Sequence, residues 1–531
     1  MTRFHLKKVS IVLLATLLLI VALLFILLLS PLPEPPGPAS TAPMLLDNVN
    51  IVDVETGQII PNQAVWIDKG VISKIVPSEQ RNTDTAKSVE TEIMADGRLK
   101  VHGAGRYLMP GLADMHTHSM KISPQVHHPL WLASGVTSVR DMSGCMLDDD
   151  SLLACTSDRK RWQRQLKNGS RSSPNYWQHA SYQVNGGSEA PSDHPDFFQL
   201  RSAADATALV LHYKNQGVDL IKVYEELRAD QYHWLSIAAD SAGMSLAGHQ
   251  PWLVSFQEMI SAKQRSVEHG RLFIFECADA IHTYKQQALQ RRFQPEQWRV
   301  LLQSQNPVLC RQLMEKMAAS DTWWSPTLLT LQLGAKAGEA TFRQDARLSS
   351  VPYLLRMLWQ ADASAMAKHA HDNKGENVHI ELLALAKLQL KQAHSLGVQI
   401  LAGTDTADSF VFAGSGMHDE MALYREAGLS SLEVIQTATV NPAIYAGIFA
   451  KTGSVTVGKT ADLLLLNDNP LKDLATMRQP EAVVLAGHWY PKVLLQQLIF
   501  FAKNQAQSVK LNLHLLWDML SSAAFRQQFA D

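Results

Sequence analysis

"GLADMHTHSM", residues 111–120, sets two histidines one residue apart at the end of a short apolar run. On a β-strand, residues i and i+2 point to the same side. A strand over 112–116 therefore lets His116 and His118 converge on one point in space. Two imidazoles on one point suit a metal ion; ordinary polar residues at a strand end are the alternative. The choice depends on whether other segments bring further ligands to the same place.

Seven more candidate strands come after it: TSVRDM (137–142), YWQHASYQV (176–184), DLIKVY (219–224), MSLAGH (244–249), RSVEHG (265–270), TWWSPTL (322–328) and VQILAGTD (398–405). Helix-like segments such as SAADATALVLHYKNQG and ADQYHWLSIAADSAG separate most of them. Alternating β and α implies a parallel sheet. Eight such units over residues 111–445 predict an α/β fold of the (β/α)8 TIM-barrel kind with insertions. Residues 44–110 and 446–491 read differently, as short β-branched runs divided by turn residues (Thr56-Gly57, Pro61-Asn62, Lys69-Gly70). They predict one small β-sandwich assembled from both chain ends, with the barrel inserted between them. The tail, 492–531, reads as two amphipathic helices that pack on the rest of the chain.

At 531 residues the chain is too long for one core. With 48 Lys+Arg against 50 Asp+Glu the net charge is −2, which gives no footprint for a nucleic-acid partner. Residues 1–30 carry Arg3, Lys7 and Lys8 ahead of an apolar run, residues 11–29, broken only by Thr16. A helix of that length spans about one hydrocarbon core, roughly 28 Å. It predicts an uncleaved signal anchor, a transmembrane helix that leaves the remainder exported to periplasm or exterior; a cleaved signal peptide is the alternative. The Pro-rich stretch at 31–43 then acts as a spacer. In an exported chain the four cysteines can oxidise. Cys145 with Cys155 and Cys277 with Cys310 are candidate bridges, with buried free thiols the other reading.

The chemistry gathers at the strand ends. The first strand ends at His116 with His118 just beyond, the fourth carries Lys222 and then Tyr224, the fifth ends at His249, the sixth at His269 and the eighth at Asp405. In a parallel barrel the C-terminal strand ends share one face, where active sites lie. Singly, each residue has a plain explanation: His249 as a hydrogen-bonded core histidine, Asp405 as a helix N-cap, Tyr224 as a packed tyrosine. Lys222 between Ile221 and Val223 is harder to explain, since a buried ammonium is costly unless paired or neutralised. Together, four imidazoles and a carboxylate suit two divalent ions, Zn²⁺ first, with Mn, Fe, Ni or Co also accommodated. Lysine can join such a site only as a carbamate formed with CO₂.

At these residues the sequence resembles the amidohydrolase superfamily. LMPGLADMHTH, IKVY, LAGHQP, SVEHG and AGTDT occur in that family's order, and the segments MHDEMALYREAGLSSLEVIQTATVNPAIYAGI and GSVTVGKTADLLLLNDNP resemble its closing region. The likeness covers about residues 44–490 and points to the binuclear subgroup that includes imidazolonepropionase-like and Xaa-Pro or Xaa-Arg dipeptidase-like members. The resemblance implies that His116, His118 and Asp405 hold one metal, that His249 and His269 hold the second, and that carboxylated Lys222 bridges them. It also implies that Asp405 moves the proton and that Tyr224 orients or polarises the substrate. The implied reaction is hydrolysis of an amide C–N bond in a small molecule: a dipeptide, an N-acyl amino acid or a cyclic amide. Three rivals stay open: the same site acting on a lactone, carbamate or phosphoester; a catalytically silent envelope binding protein; and a single-metal deaminase-like enzyme with a plain Lys222. An oligomer is compatible with all of them.

Overall fold

The computed structural model describes residues 2–79, 89–187, 195–288 and 293–528. Seven parallel strands build the central layer: β1 (Leu112–Thr117), β2 (Val136–Asp141), β3 (Asn175–His179), β4 (Leu220–Val223), β5 (Ser245–Gly248), β6 (Ser266–Glu268) and β7 (Trp323–Ser325). They form two sheets, ordered β1-β2-β3 and β4-β5-β6-β7. Every ladder within them is parallel, with Lys222 opposite Ala247, Gly248 opposite Val267 and Val267 opposite Trp324. β4 and β6 read LIKV and SVE and are buried along their whole length, as expected of parallel strands covered by helices on both faces. Val139, Ile221, Val223, Leu246, Val267 and Trp324 are buried in one apolar cluster with the surrounding helices. Burial of each such aliphatic side chain contributes about 1.5–3 kcal/mol.

Two expected strands differ from their sequence reading. The third ends at His179, and residues 180–184 reach β4 through single pairs, Ala180 with Leu220 and Val184 with Val223. Here the Ser181 hydroxyl accepts the Lys222 N–H at 2.9 Å, in place of a ladder carbonyl. The eighth, 398–405, forms no continuous strand. It lies between β7 and β1 by separate bonds: Leu401 N–H to Trp324 O at 2.9 Å, Met115 N–H to Ala402 O at 2.9 Å, and Asp405 N–H to His116 O at 2.8 Å. The backbone turns here, with Asp405 at φ 71°. At Gly403 a Cβ would lie 2.6 Å from Ser325 Oγ and 2.9 Å from His116 Cβ, so only glycine permits the close approach to β1.

Both chain ends meet in a nine-stranded sheet, where Leu463–Leu466 pairs antiparallel with Tyr107–Pro110. Tyr107–Pro110 runs directly into β1, so this sheet borders the barrel-type layer at its first strand. The tail forms three helices rather than two: Lys492–Gln507, Val509–Ser521 and Ala523–Gln528. The extra break falls at Ser522, whose hydroxyl accepts the Phe525 N–H at 3.1 Å. Leu511, Leu515 and Met519 pack with Ile122 and Val126, just beyond β1. Both cysteine pairs are bridged, Cys145–Cys155 and Cys277–Cys310, with Cα–Cα separations of 5.2 and 4.7 Å.

Thr2–Leu29 is one α-helix, with Leu13, Leu14, Leu17, Leu18, Phe25 and Ile26 exposed. Among the described residues, no helix is long and apolar enough to cross a membrane. The expected transmembrane segment is therefore not a finding of the structure and rests on the sequence of residues 11–29 alone.

Candidate metal centre

Every residue singled out at a strand end lies at one place. His116, at the end of β1, is 1% exposed, and its Nε2 is 3.3 Å from His118 Nε2 and 3.3 Å from Asp405 Oδ1. His118 Nε2 is 2.9 Å from the same carboxylate oxygen. On the far side, His249 Nε2 and His269 Nε2 face each other at 3.0 Å, and Asp405 Oδ2 is 3.7 Å from His269 Nδ1. His116, His269 and Asp405 each offer a ligand atom within 4.8 Å of the others. Tyr224 packs against His249 with ring centroids 4.3 Å apart and planes tilted by 38°, and Lys222 Nζ is 5.7 Å from the Tyr224 ring. Asp405 caps no helix; the next one, Ser415–Ala427, begins after Gly414.

The outward nitrogens show what the inward ones are for. His116 Nδ1 is 2.9 Å from Glu268 Oε2, and His249 Nδ1 is 2.9 Å from Glu225 Oε1. Each ring donates Nδ1–H to its carboxylate, which leaves a bare Nε2 lone pair directed into the site. His269 Nδ1 is 2.8 Å from Thr327 Oγ1. The bare Nε2 atoms of His116 and His249 lie 3.3 Å from His118 Nε2 and 3.0 Å from His269 Nε2, close enough for each pair to share a cation. Metal-ligating histidines characteristically hold their other nitrogen on a carboxylate or similar acceptor, which fixes tautomer and orientation. The donor set therefore fits divalent cations.

Charge is balanced one layer out. Glu268, fully buried on β6, also accepts two contacts of 2.8 Å from Arg140 Nη2 and one of 2.5 Å from Ser266 Oγ. Burial would raise the Glu268 carboxyl, but Arg140 and His116 outweigh it and hold it at about 2. Glu225 is likewise held at about 2, its burial outweighed by the hydrogen bond from His249. Asp405 lies well below the usual carboxylate range, since His116 and His118 more than offset its desolvation. Burial pulls the Lys222 amine down, against the nearby charges of Asp405, Glu268 and Asp141. Among the described residues, the Lys222 side-chain nitrogen makes no hydrogen bond or ion pair.

Glu268, Arg140, Glu225 and Thr327 were not among the residues singled out from sequence. The signal was present for two of them: a Glu in SVEHG and an Arg in TSVRDM, each inside an apolar strand, carry the same argument from the cost of a buried charge that picked out Lys222. Glu225 and Thr327 sit in loops after β4 and β7, and only the folded chain brings them to the histidines.

Comparison with known proteins bears on this geometry. Residues 363–490 match the amidohydrolase family, a segment that contains Asp405. A segment of 107 residues is 36% identical to ochratoxinase of Aspergillus niger, covering 19% of this chain and 22% of that protein. The chain thus matches only about a fifth of that relative's length. The fold is shared over far more. Bottromycin amidohydrolase superposes with a TM-score of 0.66 at 21% identity, covering 88% of this chain and 92% of that one. A Xaa-Pro dipeptidase with bound methionine superposes with a TM-score of 0.56 at 18% identity, covering 85% and 100%. The chain thus carries an amidohydrolase family segment over residues 363–490 and shares the overall fold of these two structures.

Proposed function

We propose that this protein is a metal-dependent hydrolase that cleaves an amide C–N bond in a small molecule. One observation carries the reading: four imidazoles and a carboxylate converge at the strand ends, and carboxylates or a hydroxyl hold the Nδ1 atoms of three of the four rings, with the Nε2 atoms turned inward. His116, His118 and Asp405 would hold one ion and His249 and His269 a second. Lys222, as a carbamate, would complete both. The neutral amine nitrogen would form a bond to the carbon of CO₂ and release one proton, which leaves a carbamate anion; starting from the ammonium form, two protons leave in all. The support is a buried lysine beside four histidines whose nitrogen has no partner among the described residues. Divalent ions held here would supply Lewis-acid polarisation of a carbonyl and a lowered pKa for bound water.

The chain's own groups do the rest. Asp405, placed by the turn after Gly403 with Oδ1 on the histidine side, accepts a proton from the attacking water and passes it to the departing amine. Tyr224, packed against His249, would orient or polarise the scissile carbonyl. The test is metal content per chain of the full-length protein and of Lys222→Ala, followed by a panel of amides, lactones, carbamates and phosphoesters. About two ions in the parent, fewer in the variant, and turnover of amides are expected. One ion in both proteins would leave a single-metal enzyme with a plain lysine. Turnover confined to another class would move the reaction to that bond, and bound metal with no turnover at all would favour a silent binding protein.

We further propose that residues 11–29 anchor the chain in a membrane and that the catalytic part is exported. The support is the apolar run itself, flanked by Arg3, Lys7 and Lys8, and the exposed leucines along its helix. Protease protection in intact spheroplasts checks this: digestion of the catalytic part from the outside is expected, and full protection refutes it.

A further inference from the structure

The tail helix Val509–Ser521 is apolar on two opposite faces. Leu511, Leu515 and Met519, spaced by four, are buried with Ile122 and Val126. Across the helix, Val509, Leu513, Leu516, Trp517 and Leu520 fall on one stripe of the α-helical period. Val509, Trp517 and Leu520 are 68%, 61% and 60% exposed. A surface helix ordinarily turns its polar residues outward. Here the polar residues flank the stripe and are bonded sideways. Lys510 Nζ donates to Pro31 O at 2.6 Å, His514 Nε2 to Leu27 O at 3.1 Å, and Asn512 Nδ2 to Ala506 O and Ser508 O at 2.9 Å each. A groove lined by Val509, Leu513 and Leu516 carries the apolar surface on to Tyr353, which is also exposed.

What covers this stripe follows from where the helix is tied. Leu27 and Pro31 straddle Leu29, the last residue of the apolar run 11–29. In a chain anchored by that run, this point lies at the boundary between hydrocarbon and headgroups. The helix is held at the same level, where amphipathic helices bury an apolar face by about 5–10 Å and tryptophan is enriched. Lys510, on the flank, is taken up by Pro31 O, so the attraction is apolar and needs no anionic lipid. We propose that the Val509–Ser521 helix is a second membrane contact, with Val509, Leu513, Leu516, Trp517 and Leu520 seated in the lipid surface from which the anchor emerges. This rests on the anchor reading of residues 11–29 for the level of the helix, and the test separates the two.

The experiment is flotation of the full-length protein with phosphatidylcholine vesicles, followed by an alkaline wash. It is repeated for a broken anchor (Leu14→Arg, Leu17→Arg and Leu18→Arg together) and for that chain with Trp517→Glu and Leu520→Glu added. The parent should float and resist the wash. The broken-anchor chain should still float but be released by the wash, and the two glutamates should lower its bound fraction about 10-fold or more. Adding phosphatidylserine should change none of this. A second measurement leaves the anchor intact: brominated phosphatidylcholine should quench a component of the parent's tryptophan emission that Trp517→Phe lacks. A broken-anchor chain that no longer floats, or that floats equally with the glutamates present, overturns the proposal. Equal quenching of the parent and Trp517→Phe does so as well. A parent released by the wash, with binding that still depends on Trp517 and Leu520, would uphold the contact and refute the anchor reading instead.

Discussion

Replacing Glu268 by Gln tests how the centre is held together. The carboxylate meets Arg140 through two contacts of 2.8 Å, accepts from Ser266, and orients His116 through Nδ1, with both Arg140 and Glu268 fully buried. Glutamine keeps the shape and one acceptor but cannot neutralise Arg140. The Glu268 carboxyl sits at about 2 in the folded chain against an ordinary 4.5. At 1.36 kcal/mol per pKa unit, that difference is worth about 3 kcal/mol. Removing one partner of a buried pair independently suggests about 3–5 kcal/mol. Because the folded pKa is depressed, this stability is fully present above pH 4.5 and is lost as pH falls toward 2. Denaturant unfolding at pH 7 should therefore show Glu268→Gln less stable by about 3 kcal/mol, with a flatter decline in acid than the parent. Metal affinity should fall about 10- to 100-fold as His116 loses its orienting acceptor. Adding Arg140→Met should recover part of the stability, by removing the stranded guanidinium, but none of the metal affinity. A loss under about 1 kcal/mol with unchanged metal retention would refute the reasoning.

Stripping metal with a chelator should lower the unfolding midpoint, by about 2.7 kcal/mol for each site filled at a hundred times its dissociation constant, and re-addition should reverse it; a midpoint indifferent to metal counts against the centre. Gly403→Ala should cost about 1–3 kcal/mol and reduce bound metal, because the added methyl runs into Ser325 and His116; calorimetry and metal analysis report both. Replacing Cys277 and Cys310 together by Ala should destabilise the chain by about 4 kcal/mol, and the Cys145 and Cys155 pair by about 3, in keeping with the loops of 33 and 10 residues they close; the reverse order in unfolding experiments would contradict the loop-entropy argument.

Much of the site was legible in the chain because parallel α/β topology converts sequence position into place. A polar residue at the C-terminal end of a strand has one destination, so His116, His249 and His269 could be assembled on paper from periodicity alone. Lys222 stood out by the cost of its charge between Ile221 and Val223. The strands whose register depends on side-chain hydrogen bonds were less legible. Ser181 replaces a ladder carbonyl, and Gly403 and Asp405 bend the eighth segment against β1, so neither reads as a regular alternating run.

The sequence by itself determined most of the alternation of strands and helices, the apolar run at 11–29 and the residues that could carry metal chemistry. These are properties of local pattern and of the cost of burying particular groups. Only the tertiary structure decided which nitrogen of His116, His249 and His269 faces inward, because Glu268, Glu225 and Thr327 reach those rings from distant strands and loops. It also decided which arginine is free. Arg140 is consumed by Glu268, while Arg271, on the wall of the pocket beside His249 and His269, makes no hydrogen bond or ion pair among the described residues, a distinction of pairing in space that spacing along a chain does not encode.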